Sequence, residues 1–261
     1  MVRPKKHLGQ HFLRDQNIAR KIVDGLDLPE GDTRPVLEIG PGTGVLTSML
    51  VERYPGRLFL VEIDAESVEY LHRTYPALGH HLIQGDFLKL DLQKLFPGPF
   101  VIIGNFPYNI SSQIFFQVLD HRDRVDEVVC MLQKEVADRL CARHGSKVYG
   151  ILSVLLQAFY DLESLFKVSP GAFHPPPKVM SSVIRLRRNA RKELPCDELL
   201  FRTVVKQAFQ KRRKTLRNAL KHLNLPASVN ALELMDKRPE QLSVEDFIFL
   251  TQQIGKGEGV R

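Results

Sequence analysis

Five short apolar runs, "PVLEI", "RLFLVEID", "HHLIQGD", "PFVIIGN" and "VDEVVCMLQ", lie within residues 35–133 and alternate with segments of helical spacing such as "VLTSMLVERY", "AESVEYLHRTY" and "SSQIFFQVLD". Near-continuous apolar runs of this length belong to strands covered on both faces, and a strand that returns through a helix re-enters its sheet in parallel. The alternation therefore predicts an α/β fold built on a mostly parallel, doubly covered, Rossmann-like sheet. After residue 160 the pattern changes. "DLESLFKVS" and "KVMSSVIRLRR" both read as strands, with "PGAFHPPPK" and no helical segment between them. Such strands pair antiparallel, so a hairpin is expected at the sheet edge. From Cys196 onward the spacing is helical, with breaks at Pro226 and Pro239. The expected division is residues 1–190, beginning with a basic arm over 1–21, and a small all-helical domain over 191–261.

The first chemical signal is "LEIGPGTG". Glycines at 40, 42 and 44 allow a sharp turn after a strand and a close approach of backbone N–H groups to a ligand. A dinucleotide site has G-x-G-x-x-G with a pyrophosphate on the helix N-terminus. Here the spacing is G-x-G-x-G and Glu38 precedes it, which suits a ligand without phosphates, although a structural turn uses the same residues. An acid at 38 can receive the ammonium of a methionine moiety, as in S-adenosyl-L-methionine. Glu62 ends the second strand about 20 residues past the turn, where a ribose-binding acid is expected. Asp86, after the third strand, can accept from an adenine amine.

The fourth strand ends in "NFPY". The exocyclic amine of adenine is a poor nucleophile because its lone pair is delocalised into the ring. Two acceptors on its hydrogens would draw the nitrogen toward tetrahedral geometry. The Asn105 side-chain oxygen and the Phe106 carbonyl are the expected acceptors, with Pro107 fixing that peptide and Tyr108 offering a face for an extruded base. Positioning then supplies most of the catalysis.

The formal charge of +7 is unevenly spread: the segment from Leu199 to Leu232 carries eight Lys/Arg and no acid. On one helix, Arg213 and Arg217 would share a face with Lys214 and Lys221 alongside, a stripe suited to phosphates. Arg212, Arg213, Lys214 and Arg217 are the candidate RNA contacts there, and Lys5 and Lys6 are candidates on an arm over the pocket. Three scattered cysteines and nine histidines show no metal-ligand spacing, so no metal is expected. The start of the chain lacks a secretory apolar core, and no stretch reaches the ~18 apolar residues of a membrane span. A cytoplasmic protein is expected.

The N-[hydrophobic]-P-Y turn, with E-x-G-x-G before it, resembles the motifs of rRNA adenine N6-methyltransferases. "KKHLGQHFL", "GSKVYGILSVLLQ", "FHPPPKVMSSVIRL" and "FQKRRKTLRNAL" are similar to further blocks of that family, in family order from about residue 5 to residue 222. The nearest group is the KsgA-type small-subunit rRNA dimethyltransferases. The resemblance implies an S-adenosyl-L-methionine-dependent enzyme that dimethylates two adjacent adenosines near the 3′ end of 16S rRNA. Its partner would be the immature small subunit, and the protein a monomer. The resemblance further implies that His11 and Leu13 touch the cofactor, that Gly40 lies under its methionine, and that Glu62, Asp86 and Asn105 hold the ribose, the adenine amine and the target. Phe173 would sandwich the target base against Tyr108. Two positions depart from the family: His11 stands where Asn is more usual, and Phe106 where Leu is. Acting through its carbonyl, position 106 is expected to tolerate side-chain change. A large-subunit rRNA methylase of the antibiotic-resistance type and a non-catalytic nucleic-acid-binding factor are the alternatives.

Overall fold

The computed structural model of the chain describes residues 2–5 and 8–258. In chain order the described strands are β1 (Phe12–Leu13), β2 (Val36–Ile39), β3 (Leu58–Glu62), β4 (Leu82–Gln84), β5 (Phe100–Asn105), β6 (Val125–Gln133), β7 (Tyr160–Val168), β8 (Phe173–His174) and β9 (Ser181–Arg188). The helices are α1 (Gln16–Val23), α2 (Thr47–Arg53), α3 (Ala65–Thr74), α4 (Leu92–Leu95), α5 (Ser111–Asp120), α6 (Lys134–Leu140), α7 (Ile151–Gln157), α8 (Glu198–Gln210), α9 (Leu216–Ala219), α10 (Ala227–Asn230) and α11 (Val244–Glu258).

Seven strands form one sheet in the order β4-β3-β2-β5-β6-β9-β7. The pairs from β4 through β6 are parallel, and β9 runs antiparallel to β6. Ser164 Oγ lies 3.3 Å from Ser182 Oγ while Arg185 Nε donates to Glu163 at 2.6 Å, so β7 and β9 run in opposite directions as the expected edge hairpin. The strand order reverses between β2 and β5, and there the loops after the two strands leave the crevice in which open α/β sheets bind ligands. Gly40, following β2, and Asn105, ending β5, meet at this point. Only glycine fits at 104, since a Cβ there would lie 2.5 Å from Ile39 O. Aspartates start several of the helices: Asp15, Asp64, Asp91 and Asp197 each accept from first-turn amides.

The chain divides into two compact units. One runs through Ala137 and takes in Asp161–Arg188; the other joins Asp138–Tyr160 to the chain from Asn189 onward. Residues 138–160, expected in the first domain, thus group with the helical end of the chain. Within that second unit Gln157 Nε2 donates to Leu140 O and Ala142 O at 2.9 and 2.8 Å, and the Phe209 ring lies between Tyr149 and Phe247 at 6.1 and 5.9 Å. An apolar helix is best covered by other helices, and α7 finds them here.

The structure corrects the reading of the basic run as a single helix. α8 ends at Gln210, Lys211 leaves helical dihedrals (φ −116°, ψ 48°), and a turn over 211–214 precedes α9. Arg213 and Arg217 therefore share no helical face. On a continuous helix the like charges of Arg213 and Arg217, four residues apart, would repel.

Candidate active site

The turn after β2 places Gly40 (φ 66°) and Gly42 (φ 57°) in the left-handed region, and a Cβ at 42 would lie 2.9 Å from the Phe12 ring. Glu62 closes the turn from the neighbouring strand. Its Oε2 accepts from Gly42 N at 3.0 Å and its Oε1 from Asp64 N at 2.9 Å. Burial pushes the Glu62 carboxyl up, opposed by these amides. Each of its oxygens keeps a lone pair for another donor. Asp86 caps the short turn after β4, accepting from Leu88 N at 3.0 Å through Oδ1.

Glu38, the expected ammonium ligand, is 1% exposed and accepts from Thr47 Oγ1 of α2 at 2.7 Å. Burial pushes its pKa up to about 8, against the Thr47 hydrogen bond. It joins the turn to α2 and lines, with Gly40 and Asn105, a smaller cavity beside the main cleft.

At the end of β5, Asn105 Nδ2 donates to His11 O at 3.0 Å. With Nδ2 so used, the amide atom that can accept from an amine is Oδ1. Phe106 N donates to Met131 O at 2.9 Å, which orients the peptide that follows. The Phe106 side chain is buried and its ring lies 6.0 Å from Phe115, so its size matters to packing, contrary to the expectation of indifference. Tyr108 is fixed at its tip by Ser181 Oγ at 2.7 Å, and burial pushes its hydroxyl pKa up.

The N-terminal segment lies across this turn. β1 pairs antiparallel with β8, Leu13 opposite Phe173 and Phe12 opposite His174. Phe173 is 4% exposed, packs with Leu13 in the core of the first unit and is not among the residues that line the main cleft. Leu13 lines the smaller cavity that shares Phe12, Gly40 and Asn105 with the main cleft. The ring stacked on Tyr108 belongs to His11, with centroids 5.4 Å apart. Lys5, expected on RNA, makes an ion pair with the buried Asp64, and Gln10 Nε2 donates to the same carboxylate at 3.4 Å. Burial pushes the Asp64 carboxyl up, but the Lys5 ammonium and the Glu66 amide overcome this and hold it below the usual range. Lys6 lies outside the described residues.

These elements line a cleft whose walls include His11, Gly40, Gly42, Glu62, Asp86 and all of Asn105–Tyr108. Residues that the sequence reading missed also line it: Phe12, Phe87, Ile110, and Ile63, which is 52% exposed. The signal for Ile63 was its place directly after the strand-end acid. A flat apolar surface beside Glu62 and Asp86 matches an adenosine, and the acids disfavour a diphosphate.

In the second unit, Arg212 donates to Lys147 O and to Ser146 O, and Arg217 pairs with Asp236 at 2.8 Å and donates to Asn230 O at 2.6 Å. Arg213 and Lys214 stand exposed in the turn. Among the described residues no group of His, Cys, Asp and Glu could hold a metal, and no helix is long and apolar enough to cross a membrane.

A family model described as ribosomal RNA adenine dimethylase matches residues 1–255. A protein named ribosomal RNA small subunit methyltransferase A from Parabacteroides distasonis is 60% identical over 252 residues, 96% of this chain and 94% of the relative. Its namesake from Cytophaga hutchinsonii is 57% identical, over 97% of this chain and 98% of the relative. Among solved structures, a dimethyladenosine transferase from Plasmodium falciparum matches with a TM-score of 0.81 and 27% identity, covering 95% of this chain and 98% of its own. The 23S rRNA methyltransferase ErmE matches with a TM-score of 0.64 and 26% identity, covering 93% and 100%.

Proposed function

The chain belongs to the ribosomal RNA adenine dimethylase family, and from that premise we propose that it transfers methyl groups from S-adenosyl-L-methionine to the N6 amines of two adjacent adenosines near the 3′ end of 16S rRNA. The observation that carries this reading is a single cleft that holds both Glu62 and Asp86 and the Asn105–Tyr108 turn. Glu62 would hold the ribose hydroxyls with the lone pairs its two amides leave over, and Asp86 the adenine amine. Gly40 and Gly42 keep the turn bare enough for the methionine portion. The cofactor supplies an electrophilic methyl group on a positively charged sulfur. In the first transfer Asn105 Oδ1 and the Phe106 carbonyl would accept the two hydrogens of the target amine, and in the second one of them the hydrogen that remains, freeing the lone pair each time, while Tyr108 carries the extruded base. The amine proton leaves to solvent once nitrogen bears the new methyl.

The first unit carries this chemistry and the second grips RNA. Arg213 and Lys214 contact phosphates, and Arg212 and Arg217 hold the surface that presents them. The substrate is an immature small subunit, the enzyme acts as a monomer, and the reaction takes place in the cytoplasm, where subunits are assembled. The large-subunit reading is less favoured, because the TM-score of 0.64 to ErmE falls below the 0.81 to the dimethyladenosine transferase.

The test is to offer unmethylated small subunits and, separately, large-subunit rRNA with labelled cofactor and to map the modified nucleotides. Label on two neighbouring adenosines of 16S rRNA is expected. Label confined to 23S rRNA would overturn the assignment.

A further inference from the structure

One residue of the N-terminal segment touches three separate parts of the turn's surroundings. His11 O accepts from Asn105 Nδ2 at 3.0 Å. The His11 ring stacks on Tyr108 with centroids 5.4 Å apart and planes 28° apart. His11 Nδ1 lies 2.8 Å from Pro175 O, in the loop that leads to Ser181. A carbonyl only accepts, so Nδ1 carries the proton in this arrangement. Tyr108 is thus held at one face by His11 and at its hydroxyl by Ser181.

We propose that His11 is a positioning residue for methyl transfer: its ring backs Tyr108 and its main chain orients the Asn105 amide, so that stacking face and acceptor are set before an adenine enters. This rests on the reading of the chain as an adenine methyltransferase. This role is separate from any contact that the other face and Nε2 of the imidazole make in the cleft, which His11 lines. A stacked aromatic partner stiffens a ring at low conformational cost, and a stiff ring offers an extruded base one defined face. Preorganisation of this kind acts on the rate at saturation rather than on cofactor affinity.

The test compares wild type, His11→Ala and His11→Phe in single-turnover methylation of unmethylated small subunits, with cofactor and subunits both saturating. S-adenosyl-L-methionine affinity is measured separately by calorimetry. The Ala variant is expected to lose roughly tenfold in rate while its cofactor Kd moves less than about threefold, and the Phe variant, which keeps the stack, to recover to within about threefold of wild type. A cofactor Kd that worsens in step with the rate would make His11 a cofactor ligand and overturn the proposal. So would an unchanged Ala variant, or a Phe variant as slow as Ala. Should the Ala variant fail to fold, His11→Leu fills the volume without an aromatic face and takes its place under the same criteria. Wild type that leaves small subunits unmethylated would strike at the function itself; methylation by wild type and variant alike would strike at the positioning role alone.

Discussion

Asn105 and His11, 94 positions apart in the chain, are joined by a 3.0 Å hydrogen bond from the side-chain amide of one to the main-chain oxygen of the other. The bond decides which way round the amide lies. It commits the nitrogen to the protein and leaves the oxygen as the atom that can accept, and the proposed chemistry depends on that polarity.

Asn105→Ala removes the acceptor and is expected to lower the rate of transfer by about a hundredfold or more, the scale seen when one preorganised polar group is removed from a reacting centre. Cofactor affinity should weaken only slightly, because Glu62 and Asp86 remain. Single-turnover kinetics with a parallel cofactor titration separate the two effects. Undiminished turnover would refute the mechanism.

Gly104→Ala drives a methyl group to 2.5 Å from the Ile39 carbonyl, a backbone atom that cannot turn aside. A loss of about 1–3 kcal/mol in denaturant unfolding is expected. Gly98→Ala has nothing within 4 Å of its Cβ and should fall within about 0.5 kcal/mol of wild type. Equal effects at the two positions would mean that β2 and β5 are not so closely apposed.

Glu38 gives stability a pH dependence of definite sign. Its folded pKa, raised to about 8 by burial, lies above the ordinary carboxyl value of 4.5, so between these values the folded chain binds the extra proton. Stability from this group is complete below about pH 4.5, declines as pH rises toward 8 and is lost above it, with a slope that approaches roughly 1.4 kcal/mol per pH unit. Glu38→Gln, whose amide oxygen can still accept from Thr47, should flatten urea-unfolding free energies over this window. A slope as steep in the Gln variant as in wild type would assign the effect to another group, Glu62 being the next candidate because its pKa is also raised.

The Lys5–Asp64 pair has the opposite sign. Asp64 is held below its usual range, so its contribution is present above the unfolded value and is lost as pH falls through the folded one. Lys5→Ala should hasten protease cleavage near residue 8 and weaken cofactor affinity through Asp64 and Glu62. Identical cleavage rates would show that the Lys5–Asp64 pair does not hold the N-terminal segment in place.

Arg213→Ala with Lys214→Ala should weaken binding to small subunits and reduce the slope of log affinity against log salt by about one to two. Arg217→Ala, by contrast, should lower thermal stability and leave that slope in place, because Arg217 is committed to Asp236 and Asn230. A slope that changes only in the Arg217 variant would reverse these roles.

Much of this protein was legible in its residues because the signals are local. Strand and helix periodicity, the three glycines of the β2 turn and the Asn-Phe-Pro-Tyr ending of β5 each depend on neighbours a few positions away. Those signals carried the parallel sheet, its antiparallel edge and the cleft-lining positions Gly40, Glu62, Asp86 and Asn105. Register between distant segments was not legible. Whether Phe173 or His11 meets Tyr108 follows from how two-residue strands at 12–13 and 173–174 pair, and a slip of one residue exchanges the faces. The same holds for Arg212 and Arg217, whose partners lie in other segments, and for residues 138–160, whose apolar helix is covered by α8 and α11. The sequence by itself determined which chemical groups are present and which local shapes they favour. The tertiary structure alone decided which of them face the cleft, because long-range packing selects among registers that local propensity leaves equal in energy.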